Sequence, residues 1–151
     1  MSKKVQITLQ PITRDNWKAC IALSVDESQK DFVPTNLYSI AEAQFYPEAQ
    51  PFAIYNEAGQ LVGFVLYGRD ILSGKWKVFR MMVDAAQQRK GYGQAAMKQV
   101  IEKIVRQPDG DEILICYHKP NQAAHKLYTQ LGFVEQAVDS KGVVTALLKL
   151  F

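Results

Sequence analysis

Between Trp76 and Cys116 the hydrophobic period changes twice, and no other stretch limits the fold as strongly. Trp76–Val83 reads as a strand. Met97, Val100, Ile101, Ile104 and Val105 then fall at i, i+3, i+4, i+7 and i+8, the spacing of an amphipathic helix. That helix stops before Pro108-Asp109-Gly110. Ile113–Cys116 follows as a continuous apolar run, the pattern of a strand with neighbours on both sides. Strand, helix and buried strand in that order make one right-handed crossover, from Trp76–Val83 to Ile113–His118. The chain therefore needs a sheet with at least one parallel pair.

The flanking segments read mostly as hairpins. Val5 to Pro11 alternates apolar and polar residues as a strand does, and Thr13 can cap a helix carrying Trp17, Cys20, Ile21 and Val25. Pro34-Thr35 opens a second short helix with Leu37, Ile40, Ala41 and Phe45, ended by Pro47 and Pro51. Phe52–Tyr55 and Leu61–Tyr67 are joined by Asn56-Glu57-Ala58-Gly59, and a turn at Ser73-Gly74 leads into Trp76–Val83. Pro120-Asn121 starts the last helix, with Ala124, Leu127, Tyr128 and Leu131 on one face and Gly132 as its stop. Phe133 to Ala137 and Val143 to Leu150 form a closing hairpin about Ser140-Lys141-Gly142. The sum is a mixed α/β (α+β) domain over residues 1–151, without repeat or linker. At 151 residues one domain is the expected count, with core enough to need neither metal nor disulfide.

Composition excludes some classes. Hydrophobic residues make 48% and charged residues 22%, so disorder is excluded. No apolar run approaches the roughly 18 residues of a membrane span. Met1-Ser2-Lys3-Lys4-Val5 has two lysines and no apolar run after them, so no secretory leader is expected. Cys20 and Cys116 lie far apart in apolar surroundings, which fits a reducing cytoplasm and no metal site. Net charge is only +3, but it is uneven. From Asp26 to Val62 six acids (Asp26, Glu27, Asp31, Glu42, Glu48, Glu57) face one base, Lys30, a balance of −5; the rest carries +8. Either surface charges cluster by chance, or one half attracts a cation and the other an anion.

The basic half holds a glycine loop, Gln88-Arg89-Lys90-Gly91-Tyr92-Gly93, between a strand and a helix. Two glycines let successive N–H groups converge, and the helix start adds unpaired N–H groups and positive dipole, which suits phosphate. A plain glycine turn capping a helix is the alternative. Gly91-Tyr92-Gly93-Gln94-Ala95-Ala96 also matches the dinucleotide fingerprint, but the context does not. The polar run Asp84–Lys90 separates strand from glycine, and Asp111 and Glu112 precede the next strand instead of ending it.

The order of elements, the glutamine-led loop, and Asn121-Gln122-Ala123-Ala124-His125-Lys126-Leu127-Tyr128 followed by Gly132-Phe133 resemble the GNAT superfamily of acetyl-CoA-dependent N-acetyltransferases. The resemblance covers nearly the whole chain. It implies a mostly antiparallel central sheet of about seven strands with about four helices and splayed central strands. Leu23-Ser24-Val25-Asp26-Glu27-Ser28-Gln29, Asp31-Phe32-Val33 and Arg80-Met81-Met82-Val83 further resemble bacterial spermine/spermidine N-acetyltransferases. The resemblance implies that Gln88, Arg89, Lys90, Gly91, Tyr92 and Gly93 hold the pyrophosphate of coenzyme A. It also implies that Met82 and Val83 pair through their main chain with the pantetheine arm, and that Asn121, Ala124 and Lys126 line the same slot. Tyr128, on the face of Asn121, would protonate the departing thiolate; its apolar neighbours alone would make it a core aromatic.

Amine acetylation also needs a base, because a free alkyl amine with a pKa of about 10.4 is charged at neutral pH. Many members of the superfamily place a carboxylate on the strand before the glycine loop. Here Lys75-Trp76-Lys77-Val78-Phe79-Arg80 has none, so an acid of Asp26–Asp31, water, or His118 would take the proton. Asp26, Glu27 and Asp31 would attract the spare ammonium groups of a polyamine, with Phe32 or Tyr38 covering its methylene stem; a solvated loop is the alternative. Cys116, inside its apolar strand, reads as an inert thiol. The expected partners are a small amine and coenzyme A, with neither nucleic acid nor membrane and with room for a homodimer.

Overall fold

The computed structural model describes residues 4–150. Met1 to Lys3, part of the segment in which no leader is read, lie outside the described residues, as does Phe151. The chain runs β1 (Ile7–Pro11), α1 (Trp17–Ala22), α2 (Asn36–Ala43), β2 (Ala49–Asn56), β3 (Leu61–Arg69), β4 (Trp76–Val83), α3 (Tyr92–Val105), β5 (Glu112–His118), α4 (Gln122–Gln130), β6 (Val134–Val138) and β7 (Val143–Lys149). One sheet takes all the strands in the order β1-β2-β3-β4-β5-β7-β6, and only β4 and β5 are parallel.

Each face of the sheet buries its own cluster. On one face Ile54, Val65 and Val78 pack with Met97, Val100 and Ile104 of α3 and with Tyr128 of α4. On the other, Phe64, Leu66 and Met82 meet Cys20 of α1 and Ala43 of α2. Both clusters are closed by the apolar positions that the strand alternation exposes on opposite sides.

Two helices depart from the sequence reading. Thr13 does not cap α1; its N–H donates to Asn16 Oδ1 at 2.7 Å, its hydroxyl accepts from the Asp15 N–H, and the helix begins only at Trp17. In α2 Thr35 does cap, accepting from the Tyr38 N–H at 3.1 Å, but the face turned inward is Asn36, Ser39 and Ala43. Leu37 and Phe45 are exposed. Small residues let this short helix approach the sheet, and Asn36 Nδ2 fixes its roll by donating to the Cys20 carbonyl at 2.9 Å. Pro51 does not end a helix. It lies within β2, beyond the last residue that β1 pairs, so no neighbour on that side requires its missing N–H.

The sheet is open in the middle. β4 pairs with β5 only from Trp76 to Val78, against Ile113 to Ile115. On its other side the ladder with β3 shifts between Arg80 and Val78, so Phe79 is an extra residue, a bulge that bends β4 away. Phe79 to Val83 therefore have no partner strand on the β5 side.

Candidate functional site

The sequence folds the glycine loop into a curl. Arg89 and Gly91 both adopt left-handed backbone, with φ of 66° and 85°, so the chain turns twice before α3 starts. A non-glycine residue in that region is strained, a cost that recurs at ligand-binding loops. Gly91 is the N-cap of α3 and has no side chain to offer, so the first N–H groups of the helix are uncapped. They face a cleft of about 660 Å³, which Gln88, Arg89, Gly91, Tyr92 and Gly93 line on one side. Lys90 does not line it; its ammonium turns to Gln87 Oε1 at 3.1 Å.

The free edge of β4 forms the next wall. The Asp84 N–H donates to the Val62 carbonyl, toward β3. Alternation then sends the peptide groups of Met82 toward β3 as well and those of Met81 and Val83 into the opening. Met82, expected to pair through its main chain with a ligand, is committed to the sheet instead, and Met81 takes that place. Gln88 Nε2 bridges the loop to this edge, donating to the Val83 carbonyl at 3.0 Å and to Gln29 Oε1 at 2.9 Å.

The third wall is α4. Asn121 is its N-cap, accepting from the Ala124 N–H at 3.2 Å, and both residues line the cleft with Lys126 and Tyr128. Where β4 and β5 part, the cleft narrows into a void of about 60 Å³ bounded by Phe79, Arg80, Cys116, Tyr117, Asn121 and Tyr128. Tyr128 is 5% exposed, its ring 5.7 Å from those of Tyr117 and Phe133. Burial pushes its phenol above the ordinary value of 10.0, with a further push from Tyr117. It is a core aromatic and a cleft residue at once.

A slot with uncapped N–H groups at one end, a free strand edge along its length and a phenol at its narrow end is the geometry that the family assignment has to explain. The model of the acetyltransferase (GNAT) family matches residues 15–133. The chain belongs to that family. No relative among the curated proteins matches it by sequence. Solved structures share its fold. An acetyltransferase from Thermus thermophilus superposes with a TM-score of 0.76 at 13% identity, covering 96% of this chain and 97% of that one. A spermidine N-acetyltransferase from Vibrio cholerae, solved with CoA and spermine, gives 0.73 at 14% identity, with 95% of each chain covered. A Bacillus subtilis acetyltransferase in complex with CoA gives 0.71 at 19% identity, covering 98% and 100%.

Acetyl-CoA is the cosubstrate of this GNAT chain, and the slot fits it. The uncapped start of α3 and Arg89 suit the pyrophosphate, and the open peptide groups of Met81 with the N–H of Val83 suit the amides of a pantetheine arm laid beside them. No His, Cys, Asp or Glu grouping among the described residues has the make-up of a metal site.

The acids fall into separate places. Asp26 lines the cleft at the loop end, where hydrogen bonds from the Ser28 hydroxyl and N–H, with the Arg89 charge behind them, hold its carboxyl below the usual range. Glu27 pairs with Lys30 at 2.6 Å, and neither it nor Asp31 lines the cleft. Phe32 borders the narrow void, whereas Tyr38 is exposed on α2. The sequence reading missed a second cavity of about 320 Å³ on the α2 face, lined by Glu42, Tyr46, Leu66, Asp70, Phe79 and Arg80 among others. Arg80 and Phe79 border both this cavity and the void, and Glu42 lies 3.6 Å from the Arg80 guanidinium. A β-bulge that brings two adjacent residues to one face leaves no trace in an alternating pattern.

Proposed function

We propose that the chain transfers the acetyl group of acetyl-CoA directly to a small primary amine, most readily a polyamine such as spermidine or spermine. The observation that carries this is the bulged stretch of β4, unpaired on its β5 side, whose Phe79 and Arg80 stand between two openings of different chemistry. On the α3 side stand N–H groups and Arg89, which suit an anionic cosubstrate. On the α2 side lies the cavity of Glu42 and Asp70, with Leu66, Phe79 and Tyr46 between them. Apolar walls suit a methylene stem, and two carboxylates against one guanidinium suit a second ammonium group. The acids of Asp26–Asp31 add to the field at longer range.

Acetyl-CoA supplies an activated acyl group on a thiol leaving group. In this reading an N–H of Met81 or Val83 steadies the thioester oxygen, and Tyr128 protonates the sulfur. The amine loses its proton through water toward the α2 mouth, since Val78 and Phe79 put no carboxylate on this strand. The presence of a tyrosine at position 128, lining the cleft, disfavours a second reading, an acyl-CoA-binding module without catalysis. The relatives that act on spermidine support the polyamine reading only through shared fold. One of them is dodecameric, and a self-assembly of this chain, a homodimer at least, is part of the proposal.

Thiol release from acetyl-CoA, measured across spermidine, spermine, diamines, amino acids and short peptides, tests the reading. Turnover is expected to be fastest with the polyamines. Preference for amino acids or peptides would remove the polyamine assignment and leave acetyl transfer standing; no thiol release with any amine would remove both.

A further inference from the structure

Tyr128 has a neighbour pair that acetyl transfer, as described above, does not use. The Tyr117 hydroxyl lies 3.1 Å from His125 Nδ1, a hydrogen bond joining β5 to the first turns of α4. The two rings are 6.1 Å apart, and the rings of Tyr117 and Tyr128 are 5.7 Å apart. Tyr117 is 8% exposed and borders the narrow void together with Tyr128, whereas His125 stands on the exposed side of α4. A void of about 60 Å³ exceeds the roughly 10–15 Å³ that one water requires. At the Tyr117 hydroxyl, His125 of α4 is the hydrogen-bond partner, the Glu135 charge from β6 adds to the burial that raises the phenol, and the Tyr128 ring packs beside it.

This arrangement answers a difficulty that burial creates. A phenol in an apolar pocket keeps its proton tightly, so a phenolate left behind after donation is costly and must be refilled at once. His125, on the exposed side of α4 and hydrogen-bonded to Tyr117, is open to solvent and offers a way in for a proton.

We propose that Tyr117 and His125 return a proton to Tyr128 after each transfer, with His125 as the port to solvent. The inference rests on the reading of Tyr128 as the acid of acetyl transfer. The departing sulfur takes the Tyr128 hydroxyl proton as the carbon–sulfur bond breaks. Tyr128 regains a proton from the Tyr117 hydroxyl through the shared void. Tyr117 takes one from His125 Nδ1–H, and His125 takes one from solvent. The amine releases one proton to solvent as its bond to the acetyl carbon forms, so the cycle is balanced. Tyr117 and His125 are positioning residues: they act through Tyr128 and touch no reacting atom.

A glutamine at position 125 retains a hydrogen bond to Tyr117 but cannot shuttle a proton, which separates relay from scaffold. His125→Gln is expected to lower kcat about tenfold, less than the hundredfold or more of a positioned acid itself. The acetyl-CoA KM and the Tm stay at parental values. Added imidazole restores the rate of His125→Gln, whereas Tyr117→Phe loses as much and is not restored. Parental kcat in His125→Gln, or a loss that imidazole does not repair, overturns the relay while acetyl transfer stands. A parental protein inert toward every amine overturns the acetyl-transfer reading and the relay with it.

Discussion

Burial keeps the Tyr128 phenol protonated well past neutrality, so the acid proposed for the transfer is loaded at neutral pH. Tyr128→Phe keeps the ring against Tyr117 and Phe133 and removes only the hydroxyl. It is expected to lower kcat by about 10²-fold, with acetyl-CoA affinity by calorimetry unchanged. Parental activity in the variant would return Tyr128 to a purely structural role. Burial has a second consequence. The Cys20 thiol is pushed up to about 11 from 9.0, chiefly by desolvation, and Tyr128 rises from 10.0. In the unfolded chain these groups ionise at their ordinary values. Between the unfolded and folded values the unfolded state therefore holds fewer protons than the fold, and stability falls as pH rises. Thermal melts are expected to be level to about pH 9 and to decline above it; a level Tm to pH 11 would show that these groups are better hydrated than the fold implies.

At the scale of elements, the loop and the start of α3 separate two kinds of glycine. Gly91 has φ of 85°, so a side chain there is strained whatever room it has. Gly93 is different: an added Cβ meets Met81 Cε at 3.4 Å and Leu127 Cδ2 at 3.7 Å, ordinary contact. Gly93→Ala is thus expected to hold or raise stability, by up to about 1 kcal/mol of helix propensity, while weakening acetyl-CoA binding because the methyl enters the cleft beside the proposed phosphate site. Gly91→Val is expected to lose both. Undiminished acetyl-CoA binding in Gly93→Ala would move the phosphate site away from the helix start. This crossover was the most legible part of the chain: a 3.6-residue period over five apolar positions, flanked by strands, has one reading. The hairpins followed from turn residues. What stayed hidden depended on contacts across the sheet. The bulge at Phe79, the inward face of α2 set by the Asn36 hydrogen bond, and the turn of Met82 toward β3 are decided by register, which no local pattern records.

For the whole molecule, the charge asymmetry is real but unequal in reach. Of the acids between Asp26 and Val62, Glu27 pairs with Lys30 and Asp26 with Ser28, whereas Glu42, though 3.6 Å from the Arg80 guanidinium, borders the cavity proposed for the amine. Neutralising Asp26, Glu27 and Asp31 together is expected to raise the spermidine KM at low salt only. Exposed charges act through a screened field with a Debye length near 10 Å at 0.1 M salt. Glu42→Gln is expected to raise the same KM at low and high salt alike. Equal salt dependence in the two variants would make the asymmetry a field effect with no contact site. No helix among the described residues is long and apolar enough to cross a membrane.

The central claim is that the gap between β4 and β5 passes an acetyl group straight from coenzyme A to an amine. A single turnover with acetyl-CoA labelled in the acetyl carbons, quenched and read by mass spectrometry, tests it most directly. The account expects the label on the amine nitrogen in step with free coenzyme A, and none on the protein at any time, with Cys116 unmodified although it borders the void. Label that appears first on Cys116, or acetyl-CoA that binds and is recovered intact in the presence of every amine, would contradict it.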